Sequence, residues 1–299
     1  FQFFREQKDS NKAMHISQTD NNSDNNDGES LSKMDRNDKP KKIALINIVG
    51  EIRNGESDGN NTGSDTIQNL LFQATNNNDV VGIILRIDSP GGDAIASETI
   101  WNAVNNAKEY GKVVVVSMGD ICASGGYYIA SAADKIIAMP GTITGSIGVI
   151  MTMFTLEKLL DKIGVNYDID SIKFGENSDL YLPFEYPNDR RDKKLNELID
   201  SMYNIFMERV SIGRNISMDD VRQIAQGKVY TGHQAKLLNL VDQFGGLYEA
   251  KDICKELANI DKNEKVTLIK YQSKYEKLMD FVGQFSGDSN ALTKLIHII

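Results

Sequence analysis

The residue of this sequence best suited to covalent chemistry is a serine set between small residues just past an apolar run. In Ala123-Ser124-Gly125-Gly126-Tyr127-Tyr128 the serine opens a predicted helix. Its Oγ would stand there near backbone N–H groups, with the helix macrodipole favouring developing negative charge. Taken alone, such a serine reads as a helix N-cap. A second element changes the weighing. Ser89-Pro90-Gly91-Gly92 ends another apolar run, and paired glycines permit a turn whose N–H groups face a substrate carbonyl. One such donor is worth about 2.7–4 kcal/mol in the transition state.

A nucleophilic serine also needs a base. Of the three histidines, His15 lies in a polar N-terminal arm and His297 near the C-terminal end. His233, at a helix start, is the one candidate among them, and it is poorly placed for a triad. A lysine is the other common partner. Bringing its pKa from about 10.4 to near 7 takes about 4 kcal/mol from burial and polar neighbours. A serine–lysine dyad therefore requires a desolvated lysine and an orienting hydroxyl.

The elements that must position these groups alternate. Strands are predicted at Ile43 to Ile48, Val80 to Ile87, Lys112 to Met118 (ending at Gly119-Asp120), Lys135 to Met139 and Ile147 to Phe154. Asp65 is expected to cap a helix through about Ala74, across a polar loop from Asn54 to Ser64. Further helices are predicted up to about Tyr110 and from Ala123-Ser124 to Ala133. This order implies parallel βαβ units, an α/β fold whose ligands bind at neighbouring strand ends. The last third reads as mainly helical. Leu195, Leu198, Ile199, Met202, Ile205, Phe206 and Val210 form a helical stripe, expected to be core packing. Ser217 to Asp220 reads as a helix start and Gly245-Gly246 as a helix stop.

Composition sets the outer limits. With 299 residues, 40% of them apolar, the chain can fold a sizeable domain, and its net charge of −9 argues against a nucleic-acid partner. Residues 1–41 are Asn/Asp-rich and are expected to be a disordered linker or arm. The domain proper is expected over 42–258, with a weakly patterned C-terminal extension at 259–299. No run approaches the ~18 apolar residues of a spanning helix. Cys122 and Cys254 have no metal-type spacing, so neither a disulfide framework nor a metal site is expected. Asp88 and Asp93 read as turn or helix caps, Tyr127 and Tyr128 as packing residues, and Glu176 and Asp179 as solvated.

Asp88-Ser-Pro-Gly-Gly-Asp93, Cys122-Ala-Ser-Gly-Gly-Tyr-Tyr-Ile129 and Thr144-Gly-Ser-Ile-Gly-Val149 stand in an order and spacing that resembles the signal peptide peptidase A (SppA) serine peptidases. Gly227-Lys-Val-Tyr-Thr-Gly232 and Gln234 to Asp242 extend the resemblance to roughly residues 41–257. It implies a Clp protease/crotonase-like fold with helices packed outside parallel βαβ units and a mainly helical C-terminal part. It implies Ser124 as nucleophile, Gly91 or Gly92 with the Gly125 N–H as oxyanion hole, Ser146 as the hydroxyl orienting a lysine base, and no cofactor. Substrates by the same resemblance are remnant signal peptides or other extended apolar peptides. Partners are copies of the chain in a ring or bowl, at a cell-envelope or plastid-type membrane.

One departure is specific. Short family members carry the base lysine where this chain has Ser178, in Lys173-Phe174-Gly175-Glu176-Asn177-Ser178-Asp179, and Lys173 matches a non-catalytic lysine. Long members place the lysine in an N-terminal repeat and the serine in a C-terminal one. By that pattern the chain is a nucleophile-bearing half, its lysine expected from an N-terminal repeat or a neighbouring subunit. Two other readings remain: a non-catalytic assembly module that has lost its base, and a crotonase-type enzyme acting on acyl-coenzyme A.

Overall fold

Apolar runs as continuous as Val80 to Ile87 suit strands covered on both faces. The computed structural model describes residues 40–166, 175, 177–184, 187–273 and 276–280. The expected N-terminal arm up to residue 39, Lys173, Glu176 and the end of the chain lie outside the described residues. Strand β1 (Lys42–Val49) leads through the short β2 (Glu51–Arg53) and β3 (Asn61–Gly63) into helix α1 (Ser64–Asn76). Next come β4 (Val80–Ser89), α2 (Ala94–Glu109), β5 (Val113–Ala123) and the short α3 (Gly125–Ala130). β6 (Lys135–Ala138), β7 (Ile143–Gly145), α4 (Glu157–Ile163) and the long α5 (Asp189–Arg214) follow. The described part continues with α6 (Met218–Ile224), β8 (Val229–Thr231), α7 (Gly232–Leu237), β9 (Gln243–Phe244), α8 (Leu247–Leu257) and β10 (Thr267–Tyr271).

The sheet runs β10-β1-β4-β5-β6-β9, with every pair parallel. Alternate residues of each central strand enter different cores. Ile83, Leu85, Val114 and Val116 pack with Leu71 of α1, Ile100 of α2 and Tyr127 of α3. Ile43, Ile84 and Val115 pack with Ala250 and Cys254 of α8. Gly82 admits α8 this closely, since a Cβ there would lie 2.4 Å from the Cys254 Sγ. Both cysteines are free and buried. Within 259–299, expected as an extension, β10 forms a strand beside β1, and Ile260 and Val266 join the second core.

Several local expectations are corrected. β5 does not end at Gly119-Asp120 but continues to Ala123. The side chain of Asp88 packs where Gly119 has no Cβ and accepts from the Ile121 N–H at 3.1 Å. The pairing of β5 with β4 shifts register there, and the far end of β5 takes β7 as a partner. Ile147 to Phe154 is not a strand. Ile147 is buried, but Ile150 and Phe154 are 93% and 81% exposed. Residue 63, a glycine, rather than Asp65, is the N-cap of α1. Gly246 opens α8 instead of stopping a helix, its N–H donating to Glu249 Oε2 at 2.6 Å. Asp179 is not solvated; it is 1% exposed and paired with Arg190. Among the described residues no helix is long and apolar enough to cross a membrane.

Candidate active site

β4 and β5 end side by side, and the chain reverses sharply at both ends. At the end of β5, Ser124 sits at φ 51°, ψ −121°, a region that costs a non-glycine residue about 1–3 kcal/mol and persists only where its surroundings enforce it. They do: the Ser124 N–H donates to Gly145 O at 3.0 Å, and its carbonyl accepts from the Tyr128 N–H at 2.8 Å. Ser124 occupies the N-cap position of α3, yet its hydroxyl caps nothing. The bland reading of this serine thus lacks the hydrogen bond that defines it. With six residues α3 is too short to act through a large macrodipole, so any anion here is met by individual N–H groups.

Those groups come from two turns. The Gly91 N–H is engaged, donating to the buried Ser89 Oγ at 3.1 Å. The Gly92 and Gly125 N–H groups have no acceptor among the described residues. They are neighbours: a Cβ on Gly125 would lie 3.2 Å from the Gly92 nitrogen. Gly91 has a different task. At φ 106° it lets the two turns touch, since a Cβ there would meet the Gly125 nitrogen and the Ser124 Cβ at 2.7 Å. Of the two alternatives from sequence, the geometry leaves Gly92 as the available donor.

Ser146 is placed by the same pairing. Ala123 is in register with Gly145, so Ser124 and Ser146 are the next residues on adjacent parallel segments. Ser146 has φ 50° and donates its N–H to Lys228 O at 2.8 Å. β8, from the Gly227-to-Gly232 motif, thus holds β7 antiparallel and braces Ser146 from its far side. Neither the Ser124 nor the Ser146 hydroxyl has a hydrogen-bond partner among the described residues.

Ser124, Gly125, Gly92 and Ser146 line one cleft of about 750 Å³. Its other wall comes from Ile199, Met202, Tyr203 and Phe206 of α5, with Val149 and Ile150 at one side. This corrects the sequence reading of α5. Of the stripe, Leu195, Phe206 and Val210 are buried, Ile199, Met202 and Phe206 line the cleft, and Ile205 is 39% exposed outside it. No sequence signal separates core from cleft, because periodicity shows which residues share a helix face and not what that face meets.

No lysine or histidine lines the cleft among the described residues. Lys228, whose carbonyl braces Ser146, sends its Nζ to Gln223 O at 2.8 Å. Ser178 lies on an exposed turn, its Oγ donating to Gly175 O at 3.0 Å, outside the cleft lining. His233 stacks on Phe244 with ring centroids 6.0 Å apart, also outside it. Asp93 is consumed as the N-cap of α2, accepting from the Ala96 N–H at 2.8 Å. Among the described residues no cluster of His, Cys, Asp or Glu is arranged to hold a metal ion.

The model of peptidase family S49 matches residues 106–261, and that of the Clp protease family residues 35–144. The mainly parallel sheet with helices on both faces is accordingly a Clp protease-like α/β fold. Protease 4 of Haemophilus influenzae is 45% identical over 221 residues, covering 74% of this chain and 35% of that protein. The chloroplastic serine protease SPPA of Arabidopsis thaliana is 37% identical over 246 residues, covering 81% of this chain and 36% of that protein. The Synechocystis protein slr0021 is 38% identical over 222 residues, covering 74% of this chain and 76% of that protein. The chain spans about a third of the length of the first two relatives.

Proposed function

The chain belongs to peptidase family S49, and on that premise we propose that it is a nucleophile-bearing half of a serine peptidase whose base lysine comes from another domain or subunit. The observation that carries this is the combination at Ser124. A strained serine with an unengaged hydroxyl stands beside two unengaged N–H groups, in an apolar cleft that no described lysine lines.

In the proposed reaction, Ser124 Oγ attacks a peptide carbonyl carbon while its proton passes to the incoming neutral lysine. The carbonyl oxygen, now anionic, is held by the Gly92 and Gly125 N–H groups. Ser146 Oγ accepts a hydrogen bond from the lysine and fixes its position. Collapse of the intermediate breaks the C–N bond, and the lysine returns its proton to the leaving amine. Water, deprotonated by the same lysine, then attacks the acyl carbon; the C–Oγ bond breaks and the lysine returns that proton to Ser124 Oγ. A cleft walled by Ile199, Met202 and Phe206 supports extended apolar peptides as substrates, remnant signal peptides among them. It also supplies the low-dielectric surroundings that keep a lysine neutral.

The same absence of a lysine suits a second reading, a module that kept the serine motif and lost catalysis. Hydrolysis of unfolded casein separates the two. The chain would be assayed alone and combined with the N-terminal repeat of a long family member, each also as Ser124→Ala. Activity that needs the added repeat and disappears in Ser124→Ala is the expected result. Activity of the chain alone would end the split-dyad reading, and none in either form would establish the non-catalytic module.

A further inference from the structure

Where α2, α3 and α5 converge, five side chains form one connected cluster. Arg209 of α5 donates from Nη2 to Glu98 Oε1 at 2.7 Å and from Nε to Oε2 at 3.3 Å. The Tyr128 hydroxyl of α3 donates to the same carboxylate, and Asn102 adds a bond at 3.0 Å. The guanidinium also lies 4.3 Å from the ring centroid of Trp101, itself 9% exposed. Through Tyr128 the cluster reaches the nucleophile, because the Tyr128 N–H donates to Ser124 O. Through the Tyr128 ring, 4.7 Å from that of Phe206, it reaches the opposite wall.

Glu98 is not a proton carrier in this arrangement. Burial pushes its carboxyl up, but the hydrogen bonds of Arg209, Tyr128 and Asn102 and the Arg209 charge outweigh that and hold it below its ordinary value. The pair is partly buried, with side chains 23% and 31% exposed, and a two-bond contact of this kind contributes more than stability. What a forked guanidinium–carboxylate contact supplies is orientation. Orientation is what α5 lacks elsewhere along the cleft. Between Leu195 and Phe206 it has no buried residue, and a second tie there is the Gln226 N–H donating to Tyr203 Oη at 2.9 Å.

We propose that Glu98 and Arg209 are positioning residues for substrate selection: they fix α5 against α2 and α3, so that Met202 and Phe206 stand at a set distance from Ser124 and discriminate apolar side chains by size. The inference rests on the cleft being a peptide site. It assigns the choice of side chain to a polar clasp that does not touch the substrate.

The test uses the full chain with Ser124→Ala, so that ligand is bound and not cut. The probes are two blocked, uncharged, fluorescently labelled peptides, identical except for one phenylalanine or alanine, titrated by anisotropy. The intact clasp is expected to favour the phenylalanine peptide by about tenfold, the scale on which an apolar pocket discriminates. Arg209→Ala and Glu98→Ala should erase that preference while changing the alanine peptide by less than about twofold, and Glu98→Gln, which keeps an acceptor for Tyr128, should retain most of it. Tyr128→Phe, which removes only the hydroxyl, should shift the preference in the same direction and keeps the test open if the alanine variants fail to fold. Equal weakening of both peptides, or an unchanged preference in folded variants, would overturn the clasp. If neither peptide binds with the clasp intact, the peptide-cleft reading itself falls, and the inference with it.

Discussion

The two walls of the cleft are attached to the protein by different means. The wall that carries Ser124, Gly125 and Gly92 grows from the ends of β4 and β5, over residues such as Ile87, Tyr127 and Ile129 that are fully buried. The facing wall is α5, with Val149 to Met151 at one side. It is seated at the C-terminal end of α5, where Gly213 packs so closely that a Cβ would lie 1.8 Å from Ser131 O. Away from that end the surroundings thin out: no residue of α5 between Leu195 and Phe206 is buried, and Ile150 is 93% exposed. Bond-making groups need placement to a fraction of an ångström and are built on the sheet. A wall that receives varied side chains can rest on a few oriented contacts.

The largest loss is expected at the nucleophile. In the chain assembled with its lysine-bearing partner, Ser124→Ala should reduce kcat by at least about a thousandfold. The same variant should unfold no earlier than its parent, because it deletes a hydroxyl that bonds nothing. A large loss of stability would show that the serine is structural. Gly92→Ala is next. Its Cβ would meet Ile52 O at 2.0 Å, so the turn must move and take its N–H away from the oxyanion. The expected loss in kcat is roughly a hundredfold to a thousandfold, the worth of one donor. A Gly92→Ala enzyme with normal kcat would remove this glycine from the proposed hole.

What the sequence makes legible follows the same division. The sheet announces itself because β4 and β5 are covered on both faces and therefore read as unbroken apolar runs. The turns at Gly91-Gly92 and Ser124 are legible because only small residues fit where β4 and β5 touch. The choice between Gly91 and Gly92 was not, since it depends on the Ser89 hydroxyl engaging one N–H. The extension of β5 past Gly119-Asp120 was hidden for a related reason. A glycine beside an aspartate reads as a turn, and here it makes room for the Asp88 side chain. The α5 wall is the clearest miss. Periodicity reports which residues share a helix face but not whether that face meets a core or a cleft.

A paired substitution sharpens the contrast at smaller scale. Ile100→Ala, in the core under the nucleophile, should cost about 2–5 kcal/mol in chemical denaturation. Ile199→Ala, on the cleft wall, should cost under about 1 kcal/mol while raising KM for an apolar peptide more than it lowers kcat. Equal destabilisation by the two would mean that the middle of α5 is core after all.

The smallest effect concerns the seated end of α5. Arg214 reaches Asp242 at 2.9 Å, and the Ile136 N–H of β6 donates to the same carboxylate at 2.8 Å, which ties the helix to the sheet. Burial pushes the Asp242 carboxyl up, but the hydrogen bond and charge of Arg214, the Ile136 N–H and the charge of Lys135 outweigh it and hold it below its ordinary value. A carboxyl depressed on folding stabilises the protein above its unfolded pKa, about 4, and that contribution fades as pH falls through the folded value. Asp242→Asn should therefore lower Tm at neutral pH, and the gap from the parent should close as the solution is acidified. A gap that stays constant across the acid range would show that the pair seats the helix through shape and not through charge.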